Sequence, residues 1–256
     1  MPLDSSPGIE FFDANAGIGR PGVPKYRTAP DADALESGLG GLGITGALVR
    51  HSGSFDGHPT EGNELLHAAI RGRKGLEPVW AVMPHWTGEF PAPDDLLRDM
   101  ASRSARAAVA YPLQHGFALR ATTCGELLAA LERCRVPLFL PAAQVDLGVL
   151  EGVLDRHPRL PLILSDTSYR LARDLYPLLD QHQTLYLEIS GYMVHRGIED
   201  ICRHFGPERL LFGTRFPLYN PGCAVAAVLY ADVAPEAKAL IASGNLRRLL
   251  GEVRLP

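Results

Sequence analysis

Residues 136–166, VPLFLPAAQVDLGVLEGVLDRHPRLPLILSD, carry the pattern on which the fold turns. The runs Val136 to Pro141 and Leu160 to Asp166 are nearly continuously apolar and are bounded by turn-forming residues. Such strands are expected where both faces of a parallel sheet are covered by helices. Between them, Leu147 to Arg156 places Leu147, Leu150, Val153 and Leu154 at separations of three and four, the stripe of an amphipathic helix. The stretch reads as strand, helix, strand.

Working outward in both directions, the alternation repeats eight times. The spacing predicts strands at Phe11 to Asn15, Ile44 to His51, Pro78 to Pro84, Ala105 to Tyr111, Val136 to Pro141, Leu160 to Asp166, Thr184 to Ser190 and Arg209 to Arg215. The clearest helices are Glu126 to Arg135, Leu147 to Arg156, Arg170 to Gln181, Ile198 to Phe205 and Glu236 to Leu250. Thr122 or Thr123 is the expected cap of the first of these, and Asp94 with Asp95 opens another at Leu96. Eight βα units in 256 residues match a single closed (β/α)8 TIM barrel spanning 1–256 better than an open doubly wound sheet. Two segments fit less well. Pro21 to Pro30 is a loop long enough for a lid or a subunit contact, which leaves a homo-oligomer open, and the glycines of Gly38 to Gly43 make a poor first helix.

Composition narrows the function classes. With 46% hydrophobic and 21% charged residues the chain reads as an ordinary globular protein. The 25 Lys and Arg are outnumbered by 29 Asp and Glu, so there is no broad basic field for nucleic acid. The start, MPLDSSPGIEFFD, shows no secretory pattern, and no apolar run approaches a membrane span; a cytoplasmic protein without a membrane partner is expected. Cys124, Cys134, Cys202 and Cys223 form no C-x-x-C pair and read as small buried residues, not a zinc site.

In a parallel barrel the ligand site lies at the carboxyl ends of the strands. The polar residues there are Asp13, Asn15, His51, His85, His115, Asp166, Glu188, Ser190, Thr214 and Arg215. Glu188, between Leu187 and Ile189, needs a partner if buried, and Arg215 is the expected cation. His51 and His85 are the candidate general acids or bases, because histidine titrates unaided near neutrality. Trp86, in the loop PHWTGEFP, is expected to form a wall of the pocket. Cys124 at a helix start is a candidate nucleophile, although packing or capping is the simpler role because no base adjoins it.

The segment FFDANAGIG (Phe11 to Gly19) resembles the first-strand I-D-x-H-x-H of the amidohydrolase-related TIM-barrel hydrolases, of the amidohydrolase 2 type. RLLFGTRFPLYNPG (Arg209 to Gly222) resembles their R-x-L-F-G-S-D-x-P. VPLFLP, LPLILSD, TLYLEISGY and GNLRRLLG resemble the fifth, sixth and seventh strands and the closing G-N-A-x-R-L-L, in the family's order. The resemblance spans nearly the whole chain and implies an amidohydrolase-like barrel. It also implies a metal set that this chain departs from. Asn15 and Gly17 stand at the two first-strand histidines, Pro141 and Asp166 at those of strands 5 and 6, and Arg215 at the strand 8 aspartate.

Proline and glycine side chains cannot ligate, and a guanidinium repels a divalent cation. The expectation is therefore a site with no metal and no cofactor, in which Arg215 supplies the positive charge and Asp166 and Glu188 balance it. Arg215, with Asn15 and Trp86, would bind a small anionic molecule, and His51, His85, Asp166 and Glu188 would be the catalytic groups. Two functions follow: a metal-independent hydrolase or lyase acting on a small carboxylate-bearing molecule, or a catalytically silent barrel that binds a metabolite or a partner protein.

Overall fold

The computed structural model describes residues 8–23 and 25–256; residues 1–7, where the chain start was read for a leader, and Pro24 of the Pro21 to Pro30 loop lie outside that description. Eight parallel strands stand in sequence order. They are β1 (Phe11–Ile18), β2 (Ile44–His51), β3 (Leu76–Val82), β4 (Ala107–Ala110), β5 (Leu138–Pro141), β6 (Leu162–Ser165), β7 (Leu185–Glu188) and β8 (Leu210–Leu211). Ladder pairing runs from each strand to the next. Ala14 N–H donates to Phe212 C=O at 2.9 Å and brings β1 against the β8 segment, so the sheet curls into a nearly closed TIM barrel. A helix follows every strand: Ala32–Gly40, Pro59–Ile70, Pro93–Ser102, Ala121–Arg133, Leu147–Arg156, Ala172–Gln181, Gly197–Phe205 and Pro221–Leu229.

Alternation along the strands divides the core in two. Phe12, Leu48, Val79, Val109, Phe139, Ile163, Tyr186 and Leu211 face inward and fill the barrel, while Leu246, Leu249 and Leu250 pack with them. The other strand faces, with Leu35, Leu66, Leu97, Leu131, Leu154 and Leu179 of the surrounding helices, form the larger outer core. Burying a Leu or Phe side chain is worth about 1.5 to 3 kcal/mol, and two concentric layers multiply that term.

Three local expectations are corrected. Strand 8 is two residues long rather than seven, because its backbone bonds elsewhere: Phe212 N–H donates to Ile241 C=O and Thr214 N–H to Asp13 Oδ1. The helix expected over Glu236 to Leu250 is interrupted by a wide turn at Leu240–Gly244, where Ile241 C=O serves β8 and Asn245 Nδ2 donates to Pro207 and Leu210 carbonyls. Thr122 and Thr123 lie inside the helix Ala121–Arg133, whose cap position is Arg120.

The first helix forms despite its glycines. Asp31 Oδ1 accepts from Ala34 N–H at 2.9 Å, and Leu35 and Leu39 are buried. Gly38 is required for space, since a Cβ there would stand 2.2 Å from the Phe216 ring. Gly17, Gly19 and Gly22 have the spacing G-x-G-x-x-G, but the next helix begins only at Ala32, so they build a loop and not the strand-to-helix turn of a dinucleotide fold.

Candidate active site

β1 supplies the framework of the site from its third and fifth residues, Asp13 and Asn15. Asp13 is fully buried and accepts from the backbone N–H of Asn15 and of Thr214, at 2.8 and 2.9 Å, and from the Thr214 hydroxyl. Burial pushes its carboxyl above the usual range, with these hydrogen bonds and the charge of Arg50 partly offsetting. Asn15 then reaches two carboxylates at once, its Nδ2 donating to Asp166 Oδ1 at 3.0 Å and to Glu188 Oε2 at 2.8 Å.

Arg215 meets Asp166, with Nε 3.0 Å from Oδ1. Its Nη1 donates to the Tyr219 hydroxyl at 3.0 Å, and the guanidinium lies over that ring. Glu188 has different partners from those expected. It bonds not to Arg215 but to Asn15, to Ser190 N–H, to the Ser190 hydroxyl and, at 3.5 Å, to the backbone N–H of Asp166. Gly213 makes room for it, since a Cβ there would stand 2.1 Å from Glu188 Oε1, and Arg215 comes only after the chain has turned away. Lacking a cation, the Glu188 carboxyl is pushed up to about 7, first by burial and then by the neighbouring Asp166 charge.

Above this layer a cavity of about 430 Å³ opens among the carboxyl ends of the strands. Phe55, Tyr111, Pro141, Phe216 and Leu218 give it apolar walls, and the loop carrying Val23, Lys25 and Arg27 lies along it. That loop is pinned by Gly22 N–H donating to Asp56 Oδ2 at 2.8 Å. The lining includes Lys25, Arg27, Arg50 and Arg215 against Asp56 and Asp166, four cations to two acids, in a chain whose formal charge is −4. Positive charge is concentrated here against the overall balance.

Of the expected site residues, Asn15, His51, Asp166 and Arg215 line the cavity. Glu188 lies beneath it, behind Asn15. His51 Nδ1 accepts from Gly53 N–H at 3.0 Å, which leaves the proton of the neutral ring on Nε2, and burial lowers its pKa and favours that neutral form. His85 and Trp86 stand outside the cavity. Their rings stack at 4.6 Å, His85 Nε2 is 3.6 Å from Glu126, and the exposed Trp86 indole donates to Thr123 C=O. The loop is fastened to the helix Ala121–Arg133, and Phe55 and Tyr111 provide the aromatic wall in its place. Cys124 is a packing residue, buried with its thiol pushed up to about 11.

Arg50 is the residue that strand-end reading passes over. It precedes the final residue of β2 and so yields attention to His51, yet it stands two residues beyond the inward-facing Leu48 and shares its face. A lone arginine in the run ITGALVRH was the available signal.

The donor set does not suit a divalent cation. Among the described residues no three His, Cys, Asp or Glu side chains converge as a metal-holding group. Asp166 is engaged by Arg215 and Asn15, Asp13 by Thr214 and Asn15, and three guanidinium groups, those of Arg27, Arg50 and Arg215, border the same space.

A family model described as Amidohydrolase matches residues 25–251, and the chain belongs to that family. Among curated proteins none matches it. Solved structures share the fold. A 2,6-dihydroxybenzoate decarboxylase from Rhizobium is 16% identical with a TM-score of 0.76, over 95% of this chain and 99% of that one. A dihydroxybenzoic acid decarboxylase from Polaromonas sp. JS666, with bound manganese and the inhibitor 2-nitroresorcinol, is 14% identical with a TM-score of 0.75, over 95% and 97%. A structure described as a 2-pyrone-4,6-dicarboxylic acid hydrolase, from Pseudomonas putida, is 14% identical with a TM-score of 0.71, over 96% and 98%.

Proposed function

We propose that this protein is a metal-independent hydrolase or lyase acting on a small carboxylate-bearing molecule. The observation that carries the reading is the excess of cationic side chains around an apolar-walled cavity at the barrel mouth, in an otherwise acidic protein. Such a site draws in an anion and accommodates a ring or chain beside it. The similarity in fold to decarboxylases of dihydroxybenzoates supports the same ligand class.

Within the cavity each group has a distinct part. Asp166 is the acid or base that can reach a bound molecule, and Arg215 and Asn15 hold its Oδ1 in place. His51 offers a neutral Nε2–H to a ligand oxygen. Glu188 works from below as a buried partner of Asn15, setting the charge around Asp166 without touching the ligand.

A binding protein without turnover is the second reading. It is favoured by the placement of the four expected proton carriers, since only His51 and Asp166 border the cavity. The test is a panel of benzoates, hydroxybenzoates and small lactones incubated with the purified chain in chelator, followed for both binding and product. Product formation that Asp166→Asn abolishes supports the enzyme, and saturable binding without product supports the silent barrel. Absence of both contradicts the carboxylate reading.

A further inference from the structure

Arg50 is 8% exposed, and its guanidinium sits inside the barrel with Cζ 4.9 Å over the ring of Phe139 from β5. It is a wall of the cavity. Neither Nε nor Nη2 has an acceptor among the described residues. These two nitrogens share one edge of the guanidinium plane, the edge whose parallel N–H bonds grip both oxygens of a carboxylate. A buried donor is ordinarily satisfied, and a buried cation is ordinarily paired. Here Phe139 supports a flat face of the group and the Tyr111 hydroxyl lies against the guanidinium without capping Nε or Nη2, while Asp13 lies near enough to feel its charge but spends its own oxygens on Thr214 and Asn15. The acids that do border the cavity are committed elsewhere, Asp166 to Arg215 and Asn15, and Asp56 to Gly22.

We propose that Arg50 is the anchor for the ligand's carboxylate, a fixed guanidinium at the centre of the barrel mouth that does by bidentate hydrogen bonding what a bound divalent cation does by coordination. The inference rests on the carboxylate reading above and sharpens it. The primary anion contact belongs to Arg50 and not to Arg215, whose Nε and Nη1 are already engaged. It also selects among anions, because the fork matches a planar carboxylate, whereas a neutral amide of the same shape presents one acceptor oxygen beside a donor nitrogen.

The experiment is calorimetric titration of the full chain in chelator with benzoate and 2-hydroxybenzoate, each beside its neutral amide, for the wild type, Arg50→Met and Arg50→Lys. Arg50→Met is expected to weaken carboxylate binding about thirtyfold or more while leaving the amides within about threefold, and Arg50→Lys to recover only part of the loss. Should Arg50→Met fail to fold, Arg50→Lys carries the test, keeping the charge without the fork and losing about fivefold or more. Equal carboxylate affinity in wild type and variants overturns the assignment to Arg50 and leaves the carboxylate reading standing. A parallel loss of amide binding also overturns it, being the mark of a collapsed cavity. A wild type that binds none of the carboxylates overturns the carboxylate reading itself, and the assignment with it.

Discussion

Asp166 and Arg215 face each other across 3.0 Å, and both hold a left-handed backbone with φ of 55°. A non-glycine residue in that region costs roughly 1 kcal/mol or more, so the two turns are held by what surrounds them. The turn at Arg215 is held by Leu218 N–H donating to its carbonyl, and Asp166 receives Asn15 Nδ2. The arrangement fixes one carboxylate at the edge of the cavity, next to a cation and above a second carboxylate.

Because Asp166 helps to raise Glu188, neutralising it should release that effect. Asp166→Asn is expected to move the Glu188 titration below its present position near 7, toward the ordinary 4.5. Carbon-13 NMR of the glutamate carboxyl groups reads this directly. An unmoved Glu188 would show that burial alone sets its pKa.

Glu188 also gives a pH dependence of stability with a definite sign. Its folded pKa lies above its unfolded value, so the native state binds the extra proton between about pH 4.5 and 7, and its contribution falls as pH rises through that window. Glu188→Gln removes the titration. The stability of the variant relative to wild type should therefore improve by about 3 kcal/mol between pH 4.5 and 8, whatever its offset at low pH. Urea unfolding at the two pH values measures the difference, and a constant offset would contradict the account.

Arg215→Met tests how far the surface pair contributes. Its side chain is 30% exposed, Asp166 15%, and Asn15 still donates to Asp166 when the guanidinium is gone. The expected loss is about 1 kcal/mol, that of a partly solvated pair, and not the 3 to 5 kcal/mol of a broken buried one. Thermal unfolding distinguishes the two magnitudes.

Gly213 has no room for a side chain. Gly213→Ala places a Cβ 2.1 Å from Glu188 Oε1, and that carboxylate is held by Ser190 and Asn15. A loss of about 2 kcal/mol or more is expected, together with altered carboxylate binding because Asn15 must move. A variant as stable as wild type would show that Glu188 can swing clear.

Much of this molecule is legible in its sequence, for reasons that can be named. The stretch from Val136 to Asp166 announces a strand, a helix and a strand because both faces of each strand are buried, and the helix Leu147–Arg156 matches in both bounds. The pairing of Asp166 with Arg215 follows from their positions after strands 6 and 8. What escapes is decided by depth and by distant partners. Arg50 is hidden by being inside the strand run, one residue short of its end. Glu188 takes its hydrogen bonds from Asn15, 173 residues away, from the Asp166 backbone and from its own loop, so charge complementarity alone points to the wrong partner. His85 and Trp86 follow strand 3 as expected but lean outward onto a helix through Glu126 and Thr123.

We propose a small carboxylate held by the protein's own cations and by no metal. The decisive measurement is titration of the wild type with 2-hydroxybenzoate in excess chelator, and again in saturating manganese. The same dissociation constant is expected in both within about twofold, because the binding contacts are guanidinium hydrogen bonds. Binding that vanishes in chelator and returns with manganese would contradict it.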